Sequence, residues 1–408
     1  MYCRHCNAAL TTEFVDLGFS PPSNAYLLPA ALSQPETWYP LRVLVCSNCW
    51  LVQTEDYAGA EQLFDADYAY FSSVSRTWMD HAERYAAMIV QRLELGPSSQ
   101  VLEIASNDGY LLRNFQQRGI PCLGVEPTRS TADAARLLGI DVCEAFFGAD
   151  LANTLVETGG QRDLIIGNNV YAHVPDINDF TAGMTLLLKP DGVITLEFPH
   201  LLQLMEHGQF DTIYHEHFSY LSLAAVSRIF QSQGLRVFDA EVLPTHGGSL
   251  RIYGCHKDCD RPVAESVAAL LEQELAAGLQ ALDSYLSFQQ RVNAIKDGLL
   301  EFLLEAKSKG EKVCAYGAAA KGNTLLNYAG IKRDLIHSVY DAAESKQGKY
   351  LPGSHIPILE PAQLAIDKPD WLLILPWNIA PEIVEAQQDA RSWGCRFLVA
   401  VPALRILE

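Results

Sequence analysis

Tyr214-His215-Glu216-His217-Phe218-Ser219-Tyr220 sets four neighbouring side chains that can carry or relay protons just ahead of an apolar ring and a second phenol. A surface loop gains nothing from such a cluster and a core can seldom satisfy it, so the stretch predicts an acid/base site. His215 stays open to two readings, a member of that site or a hydrogen-bonded core histidine. A metal held by His215 and His217 is disfavoured, because no Asp, His or Cys at ligand spacing completes the set. Cys255-His256-x2-Cys259 offers three ligands in one short stretch and reads as surface or core residues.

Cys3-x2-Cys6 and Cys46-x2-Cys49 carry different chemistry. Each pair brings two thiolates onto one tight turn, and two such turns make a tetrahedral four-thiolate site. With all four positions filled by sulfur, no coordination position is left for catalysis, so the expectation is a structural zinc holding a domain too short to fold on its own core.

A third constellation, Glu103-Ile104-Ala105-Ser106-Asn107-Asp108-Gly109, follows a strand-like run and precedes a helical one. Backbone N–H groups and a positive helix end then face the carboxyl edge of a sheet, where cofactors bind. It is not Gly-x-Gly-x-x-Gly, so a dinucleotide loop is disfavoured; the acid at the strand end suits a cationic ligand with an amino acid moiety. Glu126, at the end of the next strand, can accept both ribose hydroxyls of an adenosine, and Asn168-Asn169 falls on the same edge. The arrangement resembles class I S-adenosylmethionine-dependent methyltransferases, in which a glycine usually stands where this chain has Ala105. In the C-terminal part, Gly317-Ala318-Ala319-Ala320-Lys321-Gly322-Asn323 lies between a strand and a helix. Small residues allow close approach of a ligand, and Lys321 adds a positive charge, but the Gly-x4-Gly-Lys-[Ser/Thr] pattern is absent. The loop therefore predicts binding of a pyrophosphate without its cleavage, and Lys346, Lys349 and Tyr350 are candidate nucleotide contacts, the two lysines equally open to being solvated surface charges.

The elements that must position these groups alternate. After a Pro-broken stretch to about residue 72 and a helical pattern over 73–95, strand-like runs at 101–104, 122–125, 164–166 and 193–196 alternate with helical ones. This βαβ rhythm means a parallel, doubly wound sheet. Residues 264–309 read as a long amphipathic helical bridge, after which the rhythm restarts at 312–316, 336–340, 371–375 and 396–401. The expected class is α/β: a four-cysteine zinc domain (1–72), a central class I methyltransferase domain (73–275) and a C-terminal Rossmann-like nucleotide-sugar-binding domain (276–408).

With His246-Gly247-Gly248-Ser249-Leu250-Arg251 added, these motifs in this order resemble the three-domain sugar C-methyltransferases acting on nucleotide-linked deoxysugars, and the resemblance spans all 408 residues. It implies methylation of a sugar carbon, usually C3, beside a 4-keto group, through an enolate made by a base of near-neutral pKa and stabilised by a donor. His217 matches the family's proposed base, with Glu216 and Tyr214 beside it and His173 as a second imidazole. Tyr68 or Tyr70 falls where the zinc domain would lend a phenol. The resemblance further implies cofactor contacts from Glu103, Ala105, Asn107, Gly109, Glu126, Asn168 and Asn169. His246, Arg251, Gly317, Lys321, Asn323, Lys346 and Lys349 would hold a substrate of the dTDP type.

Thirty basic against 49 acidic residues give a net charge of -19, which argues against a nucleic-acid groove. No run approaches the roughly 20 apolar residues of a membrane span, and the N-terminus lacks the apolar stretch of a signal peptide. A cytoplasmic enzyme, permitted to be a monomer, is expected. Two alternatives stay open: a nicotinamide-dependent nucleotide-sugar oxidoreductase, and a zinc-ribbon binding protein with a non-catalytic methyltransferase fold.

Overall fold

The structure, a computed structural model, describes residues 1–57, 71–74 and 76–408. Its strands are β1 (Thr12–Ser20), β2 (Tyr39–Val45), β3 (Val52–Thr54), β4 (Val101–Ile104), β5 (Cys122–Val125), β6 (Asp141–Cys143), β7 (Arg162–Asn168), β8 (Leu188–Pro199) and β9 (Ser219–Tyr220). The remainder are β10 (Leu235–Leu243), β11 (Ser249–His256), β12 (Val313–Tyr316), β13 (Val339–Tyr340), β14 (Ile358–Leu359), β15 (Trp371–Ile374), β16 (Arg396–Val399) and β17 (Arg405–Leu407).

The central sheet runs β10-β11-β8-β7-β4-β5-β6. Strands β4 to β8 are parallel, and β11 joins antiparallel to β8, as the class I methyltransferase arrangement requires. From β4 the chain goes outward to β5 and β6, then returns to the other side for β7. That reversal opens a crevice at the carboxyl ends of β4 and β7, and the Glu103–Gly109 loop and Asn168 sit there. Burial on both faces explains why Leu164-Ile165-Ile166 reads as an unbroken apolar run. The antiparallel pair β10 and β11 lacks a helix between its strands, so the βαβ rhythm did not announce it.

The C-terminal sheet, β14-β13-β12-β15-β16-β17, is parallel except for β17, giving a Rossmann-like order. The helical bridge is three helices, Glu265–Ala276, Leu282–Leu286 and Phe288–Ser308, rather than a continuous one. Gly278, with φ +83°, ends the first. Glu274 on that helix accepts the N–H groups of Leu223 and Ala224 at 2.6 and 2.9 Å, satisfying the start of helix Leu223–Ser232.

The third sheet joins distant parts of the chain. β1, β2 and β3 form its N-terminal portion, and β9, from inside the Tyr214–Tyr220 cluster, pairs with β3. Phe14 and Val15 of β1 share one apolar core with Phe210, Ile213, Phe288 and Leu325. The N-terminal module is thus packed into the middle of the molecule, where its segments border the acid/base cluster. Among the described residues no helix is long and apolar enough to cross a membrane.

Candidate active site

The loop after β4 makes a tight, acid-lined turn. Ala105 itself adopts φ +58°, at a strain of about 1–2 kcal/mol for a side chain in the left-handed region. Gly109, at φ +78°, lies against Ala135 and Ile140, where a Cβ would collide. Glu126 accepts the N–H of Asn107 and of Thr128, each at 2.9 Å, so the second acid fixes the loop and keeps lone pairs for a ligand. The Ser72 and Ser73 N–H groups cap Asn107 and Asp108 at 2.9 and 3.1 Å.

Glu103 is 1 % exposed, and its carboxyl is pushed well above the carboxylate range by burial, then by the charges of Glu126 and Asp108, with only the Tyr110 phenol easing it. Both amide atoms of Asn168 and one oxygen of Asp108 are buried without a hydrogen-bond partner. Uncompensated acids and an unsatisfied amide converging on one crevice fit a ligand that brings positive charge and hydrogen-bonding groups. S-adenosylmethionine, with its sulfonium, ammonium and ribose hydroxyls, fits this donor and acceptor set.

Across the crevice lies the proton-handling cluster. His217 Nδ1 is 2.7 Å from the carbonyl of Thr212. A carbonyl only accepts, so Nδ1 carries the hydrogen and the neutral ring presents its lone pair at Nε2. His173, in the turn after β7, is fixed the same way by the carbonyl of Glu216 at 2.8 Å. The two rings lie 4.6 Å apart, edge to face, and Tyr214 tilts against His217 at 4.0 Å. Burial, then the neighbouring His173, lowers His217 well below the ordinary imidazole value; burial pushes His173 down to about 4. Both rings therefore stay neutral at physiological pH. Burial works oppositely on Glu216, raising it to about 7, although Asn24 donates to it at 3.1 Å. His215 turns to the other side, 3.2 Å from the carbonyl of Pro40 and edge-on to Tyr39, which is the core-histidine reading.

His246 sits at φ +54° in the turn between β10 and β11, 3.3 Å from the Asn169 amide and 5.1 Å from the Trp78 ring. Burial lowers it to about 4, which leaves a third neutral imidazole on the cleft. The C-terminal domain closes the far wall. Helix Ala320–Tyr328 is tied to the chain just before Tyr214 by Thr324, whose hydroxyl donates to the Ile213 carbonyl at 2.8 Å. Asn323 donates to the Ser23 carbonyl at 2.6 Å and so joins domains rather than facing open space. Lys321 reaches inward: its ammonium donates to Asn378 at 2.7 Å, lies 4.7 Å over Trp377, and its charge acts on His217 and His246.

Three expectations for the substrate side need revision. Arg251 is not free to hold a phosphate, because its guanidinium is bound to Glu197 at 2.7 Å and Glu241 at 2.9 Å, beneath Tyr85. The anion turn at Gly317 already has a carboxylate on it, since Asp341 accepts the Ala318 N–H at 2.6 Å. Lys346 in turn donates to the Ala318 carbonyl at 2.9 Å and lies 3.7 Å from Asp341, while Lys349 is half-buried nearby. Tyr68 and Tyr70 lie outside the described residues. Reading the sequence missed Asn24, Tyr26, Asp211, Trp377 and Asn378. Trp377-Asn378 follows β15 at a carboxyl edge, a position that carried a signal, whereas Asn24 in a Pro-Pro-Ser-Asn turn carried none.

The thiolates meet as their spacing predicts. Cys3 and Cys49 sulfurs are 3.5 Å apart, as are those of Cys6 and Cys46, and all four lie within 4.8 Å of one another. Both turns share one geometry: Asn7 donates to Cys3 and Trp50 to Cys46, each at 2.9 Å, with Asn7 and Trp50 left-handed. Zinc–sulfur bonds of about 2.3 Å fit such a cluster. It is docked on the central domain by His5, 2.8 Å from Asn178, and by Arg4, which donates to the Pro175 carbonyl at 2.8 Å.

Comparison with known proteins agrees with this geometry. Three family profiles match in succession: a zinc binding domain over residues 3–64, a methyltransferase domain over 78–240, and a C-methyltransferase C-terminal domain over 244–402. The C-methyltransferase NovU of Streptomyces niveus is 35% identical over 406 residues, 100% of this chain and 96% of that protein. A ubiquinone biosynthesis O-methyltransferase of Rhodopseudomonas palustris is 24% identical over 155 residues, covering 32% of this chain and 60% of that one. Among solved structures, magnesium protoporphyrin IX methyltransferase from Synechocystis PCC 6803 with bound S-adenosylhomocysteine aligns with a TM-score of 0.34 at 16% identity, over 44% of this chain and 82% of that one. The fold and the crevice define an S-adenosylmethionine-dependent methyltransferase. The chain belongs to the C-methyltransferase family.

Proposed function

We propose that this C-methyltransferase methylates a carbon, C3 in our reading, beside the 4-keto group of a nucleotide-linked deoxysugar. The observation that carries this is the neutral His217, its Nε2 lone pair fixed by the Thr212 carbonyl, in a cleft shared with the cofactor crevice. When bound, S-adenosylmethionine supplies an electrophilic methyl group. The chain's task is to make a carbon nucleophile for it.

His217 Nε2 removes the proton alpha to the carbonyl, the C–H pair becomes the C=C bond, and the carbonyl pair moves to oxygen. His173, held neutral beside it, adds no competing charge, and the Tyr214 ring, tilted against the base at 4.0 Å, limits its movement. Burial raises the Glu216 carboxyl to about 7, so it can give or take a proton near neutral pH. The nucleotide we place along the carboxyl edge of the C-terminal sheet, outside the Gly317 turn that Asp341 and Lys346 already fill. A structural zinc in the four-thiolate cluster completes the reading.

Calorimetric titration with S-adenosylhomocysteine, then with dTDP in its presence, tests it. Separate saturable binding of both is expected. Failure of dTDP and its keto-sugar conjugates to bind would remove the nucleotide-sugar reading while leaving the C-methyltransferase assignment in place.

A further inference from the structure

The C-terminal domain places one cation in the reaction cleft. Lys321 opens helix Ala320–Tyr328, and its ammonium is gripped by Asn378 at 2.7 Å over the face of Trp377. Trp377 is itself pinned: its indole N–H donates to Asp211 at 2.7 Å, and its ring packs against Gly247, where any Cβ would collide with it. Asp211 is fully buried and precedes Thr212, whose carbonyl orients His217; Gly247 adjoins His246. Lys321 is thereby held between the turn carrying His246 and the turn carrying His217. It lies deep in the protein yet keeps accessible surface, as a group on a cleft floor does.

A lysine serving only as a pyrophosphate ligand needs no such support. Burial disfavours an ammonium unless a charge offsets it, and among the described residues the acid acting on it is Asp211. Asp211 accepts the Trp377 indole N–H on one oxygen, has no partner on the other, and is itself raised to about 6 by burial. Lys321 thus has one raised carboxyl to offset it while its charge acts on two neutral imidazoles, a placement suited to meeting charge that develops during reaction.

We propose that Lys321 is a catalytic residue of the methyl transfer, the cation that neutralises the enolate oxygen as His217 removes the proton, with Asn378, Trp377 and Asp211 as positioning residues. The assignment rests on the keto-sugar reading above. The C–H bond breaks, its proton goes to His217 Nε2, and the negative charge gathered on oxygen is met by the Lys321 ammonium, which keeps its proton. When the new C–C bond forms, the pair returns from oxygen and the carbonyl is restored.

Enolate formation can be read without methyl transfer. A dTDP-linked 4-keto-2,6-dideoxy sugar is incubated in deuterium oxide with the protein and S-adenosylhomocysteine, and exchange of the hydrogen alpha to the ketone is followed by NMR at saturating sugar. Lys321→Met should slow exchange by about 10²–10³-fold, the loss typical of removing one oxyanion donor, while dTDP and S-adenosylhomocysteine affinities stay as in the unmodified protein. Added ethylammonium should restore part of the exchange rate in Lys321→Ala. Weakened dTDP binding with an unchanged exchange rate at saturation would overturn the proposal and return Lys321 to the pyrophosphate. No exchange in the unmodified protein, despite binding of the sugar nucleotide, would overturn the enolate reading and this assignment together. Exchange that is normal in both Lys321 variants would remove the lysine alone.

Discussion

Glu216→Gln isolates the cost of keeping an acid where no cation meets it. In the folded protein its carboxyl is 1 % exposed, is hydrogen-bonded by the side chain and the backbone of Asn24, and is still raised to about 7. In the unfolded chain it titrates near 4.5. Below 4.5 both states hold the proton and the group is neutral to stability. Between 4.5 and 7 the unfolded state ionises first, and above 7 the folded state must carry a buried charge. A folded value raised above the unfolded one means stability present at low pH and lost as pH rises, by about 3 kcal/mol at the upper end. Glutamine keeps the shape and cannot ionise. The stability of Glu216→Gln minus that of the unmodified protein should therefore climb by about 2–3 kcal/mol between pH 4.5 and 8, whatever its offset at low pH. Urea unfolding of ligand-free protein at several pH values gives the difference. A difference flat across that window would refute the claim that Glu216 is held uncompensated, and with it the role of a carboxyl poised near neutrality.

His217→Asn should lower turnover by about 10²–10⁴-fold, with S-adenosylhomocysteine binding by calorimetry unchanged. Asn168→Ala removes an amide that has no partner within the protein and should weaken S-adenosylhomocysteine binding by about tenfold while leaving the melting temperature unchanged. Arg251→Met leaves Glu197, 0% exposed, without its cation and should destabilise by about 3–5 kcal/mol in denaturant unfolding, while dTDP affinity in the surviving folded protein stays as before. Cys46→Ser should abolish metal retention by elemental analysis and, because β9 pairs with β3, reduce activity as well as folding yield.

Motifs whose chemistry is local were legible, and those assembled across the chain were not. Two Cys-x-x-Cys turns specify their own geometry, so the four-thiolate cluster follows from spacing. Glu103 and Glu126 end adjacent parallel strands, and the βαβ rhythm alone brings them to one edge. Arg251 shows the limit. It sits on β11 with its guanidinium between Glu197 on β8 and Glu241 on β10, partners that only antiparallel pairing reveals. Lys321 was legible as a cation on a loop, but its surroundings were not, because what holds it is Asn378 and a Trp377 bonded from the central domain. The helical bridge read as one element because its amphipathic composition continues through the Gly278 break.

The architecture explains why a zinc module belongs in a methyltransferase at all. β3 pairs with β9, and the Thr54 hydroxyl donates to the His217 carbonyl at 3.1 Å, so the segment just after His217 is an edge of the N-terminal sheet. Asn24, from the same module, holds Glu216, while Tyr26 donates to the Ala318 carbonyl at 2.5 Å on the C-terminal side. Loops of a doubly wound sheet can bind a cofactor unaided, since backbone amides and helix ends suffice for that. Holding a neutral imidazole, a raised carboxyl and a buried ammonium in one part of the molecule demands support from several directions, because each is electrostatically unfavourable alone. The four thiolates anchor β2 and β3, and that sheet transmits the anchoring to residues 217–220. Loss of the metal should therefore act on His217 through this strand pairing while the cofactor crevice, built from β4, β5 and β7, keeps its shape.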